Sequence, residues 1–141
     1  MSPEATAQAL AALSARAYRH MRPWTARAFA DTLAAPASLL VATDHAFVLG
    51  RVIADEAEIL ALATDPDHQR RGAARTVLET FETRAQDRGA TRVFLEVAAA
   101  NAPARTFYAA RGYAEAGRRR AYYRLDDGTT DDALILARAL P

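Results

Sequence analysis

The chain contains no cysteine, which excludes disulfides, thiolate metal sites and a cysteine nucleophile. It contains no lysine either: all 18 positive residues are arginine, so a Schiff base and a phosphate-binding lysine are ruled out. The three histidines, His20, His45 and His68, are scattered and lack the close spacing of zinc ligands, so no metal is expected. No stretch stays apolar for the ~18 residues of a membrane span, and no basic segment followed by an apolar one opens the chain. The composition therefore reads as a soluble, cytoplasmic protein with no membrane partner. A formal net charge of +1 falls short of the field that a nucleic-acid binder carries, and the basic run "GRRR" (117–120) reads as a solvated face. No nucleic-acid partner is expected. Neither G-x-G-x-x-G nor G-x-x-x-x-G-K-[ST] occurs, so the dinucleotide fingerprint and the Walker loop are both absent.

What remains is 141 residues at 51% hydrophobic content, enough to bury a core as one domain spanning 1–141. Leu10, Leu13 and Ala17 recur at helical spacing, and Thr25 reads as the N-cap of a second helix with Phe29 and Leu33 inward. Three short apolar segments (38–43, 46–53 and 58–64) separated by "DH" and "ADEA" predict an antiparallel meander. A helix follows Gly72, with Ala74, Val77, Leu78, Phe81 and Ala85 on one face and Gly89 as its stop. A strand over 91–97 and a helix from about Asn101 to Arg111, ended by Gly112, come next. A strand, a helix and a strand in that order imply a crossover and a parallel pair at the centre of the sheet. The tail predicts a closing hairpin around "DDGT", with Ile135 in its last strand. The fold class is α/β: a mixed central sheet with an antiparallel N-terminal meander, a parallel central pair and flanking helices.

One stretch, "DPDHQRRGAARTVLETF" (65–81), turns from a proline-containing bend into basic side chains, a glycine and an amphipathic helix. A glycine turn at a helix start exposes unpaired backbone N–H groups beside the positive end of the helix dipole, which suits an anion. An ordinary helix cap would look the same, and both readings stay open on this turn alone.

Several motifs occur together. "QRRGAA" (69–74) matches a Q/R-x-x-G-x-G/A loop; "LATDP" (62–66) precedes it, and "LEVAAAN" (95–101) and "FYAARGY" (107–113) follow. Over roughly residues 58–113 the chain resembles the GNAT superfamily of N-acetyltransferases. Pro23-Trp24, Leu95-Glu96-Val97, Tyr122-Tyr123 and Asp132-Ala133 bring it nearest to the bacterial branch, RimI-like, that acetylates ribosomal proteins at an N-terminal alanine.

The resemblance implies the GNAT fold and acetyl-CoA as co-substrate. It assigns the backbone of Leu62, Ala63 and Thr64 to the pantetheine arm, and Arg70, Arg71, Gly72, Ala73, Ala74 and Arg75 to the pyrophosphate. It assigns Asn101 to a further cofactor contact, Glu96 to the general base acting through water, and Tyr108 to the general acid. For Glu96 a hydrogen-bonded structural glutamate, and for Tyr108 a core aromatic, remain open beside those roles. Without a cysteine to carry the acetyl group, direct transfer in a ternary complex is expected. The favoured acceptor is a protein or peptide N-terminus; a small amine, or a non-catalytic acyl-CoA-binding module, are the alternatives. The oligomeric state is left undetermined. The chain departs from relatives that open with a short strand, since only "MSPEA" precedes the first helical pattern.

Overall fold

Five consecutive residues of one strand, Ala46 to Gly50, are buried. Successive strand side chains point to opposite faces, so this run requires cover on both sides of the sheet. In the computed structural model, which describes residues 3–17, 24–69, 71–125 and 127–141, helices supply that cover. The order is α1 (Pro3–Ala17), α2 (Ala26–Ala34), β1 (Ser38–Ala42), β2 (Ala46–Ile53), β3 (Glu56–Thr64), α3 (Ala73–Asp87), β4 (Arg92–Ala98), α4 (Ala102–Ala110), β5 (Ala114–Arg124) and β6 (Thr130–Ala139), with a 3-10 turn at Pro66–His68.

Phe47 and Leu49 join Ala61 and Ala63 beneath Phe29 of α2 and Ala7 and Leu10 of α1. On the other face Val48, Ile59, Val93, Leu95 and Leu134 pack with Val77, Leu78, Phe81 and Ala85 of α3. Each fully buried Val, Leu or Phe contributes about 1.5–3 kcal/mol, so the double-sided β2 is a main source of stability. Thr25 caps α2 as the sequence predicts, its hydroxyl accepting from the Ala28 N–H at 3.1 Å. The inward stripe of α1 differs from expectation. Ala7, Leu10 and Ser14 are buried while Leu13 and Ala17 are half-buried, and the Ser14 hydroxyl is satisfied by donating to the Ala11 carbonyl at 3.1 Å. Among the described residues no strand precedes α1, and no helix is long and apolar enough to cross a membrane.

The six strands order as β1-β2-β3-β4-β6-β5. All neighbours are antiparallel except β3 and β4, the parallel pair predicted at the centre. The C-terminal hairpin also forms, but β6 returns between β4 and β5, leaving β5 at the edge.

The parallel pair is short. It holds for three residue pairs, Glu56–Arg92, Ala57–Val93 and Glu58–Phe94, and then the strands part. The cause lies in the register of the neighbouring pair: Gly50 opposes Ile59 and Leu49 opposes Ala61, which leaves Leu60 as an extra residue on β3. Such a bulge bends its strand. Gly50 permits it by close approach, because a Cβ there would lie 2.3 Å from the Glu58 carbonyl oxygen and 2.6 Å from the Phe81 ring.

Candidate active site

Beyond Glu58 and Phe94 the diverging strands enclose a cleft of about 730 Å³. Ile59 to Thr64 form one wall, Leu95 to Ala98 the other, and the starts of α3 and α4 close it. β3 remains paired with β2 as far as Thr64 and β4 with β6 as far as Ala98. Each strand therefore turns one edge, with its backbone N–H and C=O groups, toward the cleft.

α3 begins at Gly72, whose φ of +82° is left-handed, and no side chain caps it. The first bond inside the helix runs from the Thr76 N–H to the Gly72 carbonyl at 3.0 Å, so the N–H groups of residues 72–75 have no partner within the helix. Gly72, Ala73, Ala74 and Arg75 all line the cleft. Among the described residues, none beyond its chain neighbours comes within 4 Å of a Cβ placed on Gly72, so there the glycine is required by its backbone angle and not by crowding.

Of the residues singled out from the sequence, Leu62, Ala63, Thr64, Gly72, Ala73, Ala74, Arg75, Glu96, Asn101 and Tyr108 line this one cleft. Arg70 lies outside the described residues. Arg71 is exposed and does not itself line the cleft. Arg75 directs its Nε to Glu79 one turn on at 2.8 Å, so its charge is shared with the helix surface. Asn101 caps α4, its carboxamide oxygen accepting from the Ala104 N–H at 3.3 Å, which gives it a local structural reason to be there. Arg51 and Glu58, directly opposite each other on β2 and β3, pair at 2.7 Å and stay out of the cleft. Trp24 lines the mouth and packs on Phe29 with ring centroids 5.1 Å apart; Pro23 lies outside the described residues.

Glu96 is partly exposed, with Arg119 Nε 3.4 Å from its carboxylate. Tyr108 is buried in edge-on contact with Phe107 and Tyr113, at 5.1 and 5.4 Å. Tyr123, across from Asp131 in the hairpin, is half-buried; burial first and the Glu96 charge second raise its phenol above the ordinary value.

Sequence reasoning missed two groupings. Glu82 on α3 is 7% exposed, accepts from the Tyr113 hydroxyl at 2.8 Å and pairs with Arg138 at 2.9 Å. Tyr113 closes the "FYAARGY" motif, so its place there is explained by a buried hydrogen bond. Glu82 lies between Phe81 and the exposed Thr83 in a helical pattern, and the sole signal was a charge at the border of the apolar stripe. The second grouping overturns an argument from spacing: His45 and His68, far apart in sequence, stack at 3.5 Å, with Asp65 ligand atoms within 4.8 Å of theirs. The Asp65 carboxylate is already engaged by Arg16 at 3.0 Å and by the Asp67 N–H at 3.1 Å, and the rings lie parallel at 8° where shared coordination needs converging lone pairs. The Asp65 N–H also donates to the His45 carbonyl at 2.7 Å, which ties this bend to the start of β2.

Residues 7–113 match the model of the acetyltransferase (GNAT) family. The chain is 37% identical over 122 residues to the ribosomal protein bS18-alanine N-acetyltransferase of Escherichia coli (strain K12), covering 84% of this chain and 82% of that one. It is 30% identical to the enzyme of the same description from Haemophilus ducreyi, covering 84% of each. The crystal structure of the ribosomal-protein-S18-alanine N-acetyltransferase from Escherichia coli superposes with a TM-score of 0.84 at 34% identity, over 96% of this chain and 88% of that one.

Proposed function

Because this chain belongs to the acetyltransferase (GNAT) family and is an acetyl-CoA-dependent N-acetyltransferase, we propose that residues 1–141 act as one domain that acetylates the N-terminal α-amine of a ribosomal protein beginning with alanine. The observation that carries this reading is the 37% identity, which extends over 84% of the chain and so reaches well beyond the cofactor motif. A ribosomal acceptor makes the cytoplasm its site of action.

In this reading the cofactor lies along the split between β3 and β4, its amides on the free edge of β3 at Leu62 to Thr64. Its pyrophosphate sits at the start of α3, where Arg70, Arg71 and the N–H groups of residues 72–75 meet it; the cap residue Asn101 lies beyond. One N–H of the β3 edge polarises the thioester carbonyl. The acceptor arrives as an ammonium. Glu96 removes a proton through water, the freed nitrogen lone pair attacks the carbonyl carbon, and the tetrahedral adduct collapses by breaking the C–S bond. Tyr108 gives its proton to the leaving thiolate and the nitrogen releases its second proton, which returns to the phenolate, so the products are an acetylated amine, the free thiol of CoA and the one proton that Glu96 passes to water. An α-amine, with a reference pKa of ~8 against ~10.4 for a lysine side chain, is far more often neutral near pH 7, which leaves a carboxylate base less to do.

The test is a panel of peptides that differ in the first residue, with an N-blocked peptide carrying a free lysine and a set of small amines. Preference for the alanine start supports the reading. Preference for the blocked lysine peptide, or equal rates for alanine and tryptophan starts, removes the α-amine assignment; preference for a small amine transfers the site to metabolite acetylation.

A further inference from the structure

The run "GRRR" (117–120) is divided by the sheet into different tasks. Neighbouring strand residues point to opposite faces. Arg118 goes to one side, where it meets Asp132 at 2.9 Å and Glu115 at 3.4 Å. Arg119 goes to the other, where its Nε stands 3.4 Å from the Glu96 carboxylate and its guanidinium lies over the Tyr122 ring, 5.3 Å from the centroid.

The register shows how a residue of the edge strand reaches the cleft. Glu96 on β4 pairs with Ile135 on β6, and Ile135 pairs with Gly117 on β5, so the three form a row across the sheet. Two strand spacings, roughly 10 Å, separate the ends of that row. Gly117 contributes no side chain to it, and a Cβ there would meet Ile135 at 3.3 Å. Arg119, two residues on and on the same face, can therefore extend back toward Glu96.

We propose that Arg119 is a positioning residue: it holds the Glu96 carboxylate at the mouth of the cleft, and Tyr122 is the surface on which its guanidinium rests. This rests on the reading of Glu96 as the general base. An arginine suits the task where a lysine would not, because a planar guanidinium lies flat on a ring while one N–H faces a carboxylate. The pair is half-exposed, with side-chain exposures of 55% and 25%. Such a contact is weak and exchangeable, so Arg119 can orient the carboxylate and still yield room to the acceptor's ammonium. Tyr123, whose phenol is held protonated by burial and the Glu96 charge, borders the same carboxylate without competing for its negative charge.

The experiment is a double-mutant cycle on the full chain with acetyl-CoA and the best peptide acceptor, using Arg119→Ala, Glu96→Gln and the pair. Arg119→Ala should lower kcat about five-fold, the size that coupling in an exposed ion pair corresponds to. Acetyl-CoA affinity should not change. Arg119→Lys should recover only part of the lost turnover, because the charge returns without the flat contact on Tyr122, and Arg119→Ala should add nothing in the Glu96→Gln background. An Arg119→Ala variant with unchanged kcat, or one whose loss is the same with and without Glu96, overturns the positioning role while leaving the base in place. Full turnover in Glu96→Gln alone overturns the base and the positioning role together.

Discussion

Tyr113 donates its phenolic hydrogen to Glu82 across 2.8 Å, tying the end of the α4 motif to the buried side of α3. Burial first and the Glu82 charge second raise the Tyr113 phenol far above its ordinary value. A group whose folded pKa is raised stabilises fully below its unfolded value and loses that contribution as pH rises. Part of the folding stability should therefore decline above about pH 10. Tyr113→Phe removes one of the two partners of Glu82 and should cost about 1–3 kcal/mol, with a smaller alkaline decline. Urea denaturation at pH 7 and pH 10.5 reads both; equal slopes against pH in the two proteins would disprove the account.

Gly50→Ala should be strongly destabilising, because the new methyl meets backbone at 2.3 Å and the Phe81 ring at 2.6 Å. Overpacking of this kind costs about 1–3 kcal/mol or more. The bulge at Leu60 would have to shift, so acetyl-CoA affinity should fall as well. A thermal melt within a degree of the parent would show that the strands part for another reason.

Asp132 holds the irregular part of β5: its carboxylate accepts from the Ala121 N–H at 2.9 Å and pairs with Arg118. These contacts, the Ala121 N–H foremost, lower its pKa. The contribution is present above the unfolded value and lost as pH falls below about 4. Ala121 itself sits at φ +50°, a conformation costing an L-residue roughly 1–2 kcal/mol. Ala121→Gly should raise stability at neutral pH, and Asp132→Asn should erase the acid-induced shift of the Ala121 amide resonance. A destabilised glycine variant would contradict the strain.

Gly72→Val forces a β-branched residue into a φ of +82° at the start of α3. Acetyl-CoA should bind roughly ten-fold more weakly, about the worth of one hydrogen bond to a charged group, because the side chain stands over the N–H groups at the helix start; the melting temperature should also fall by several degrees, since roughly 1–2 kcal/mol of backbone strain is borne by the folded state. Titration calorimetry settles the point, and an unchanged dissociation constant would move the pyrophosphate elsewhere.

Glu96→Gln and Tyr108→Phe should each lower kcat by roughly 10²- to 10⁴-fold, the range for general acid–base groups, with acetyl-CoA affinity retained. Tyr108 is buried, so its variant is compared at matched folded fraction. Near-normal turnover in both would return a structural glutamate and a core aromatic.

Local chemistry alone determined a good part of this protein. The meander, α3 and its glycine start, and the Thr25 cap follow from periodicity and capping that a few neighbouring residues settle among themselves. The motif residues could be placed on those elements by number, and most of them line one cleft. What periodicity reports is which face a residue takes; which strand lies beside it is a matter of non-local pairing. The insertion of β6 between β4 and β5, the early parting of β3 and β4, the meeting of His45 with His68 and the burial of Glu82 against Tyr113 all depend on such pairing. Gly50 left a visible sign, a glycine inside a strand, but its reason is a Phe81 ring thirty-one positions away in the chain. Arg119 left none, since within "GRRR" nothing local distinguishes it from its neighbours. Its approach to Glu96 exists because two strand pairings, β4 with β6 and β6 with β5, bring β5 into line with β4.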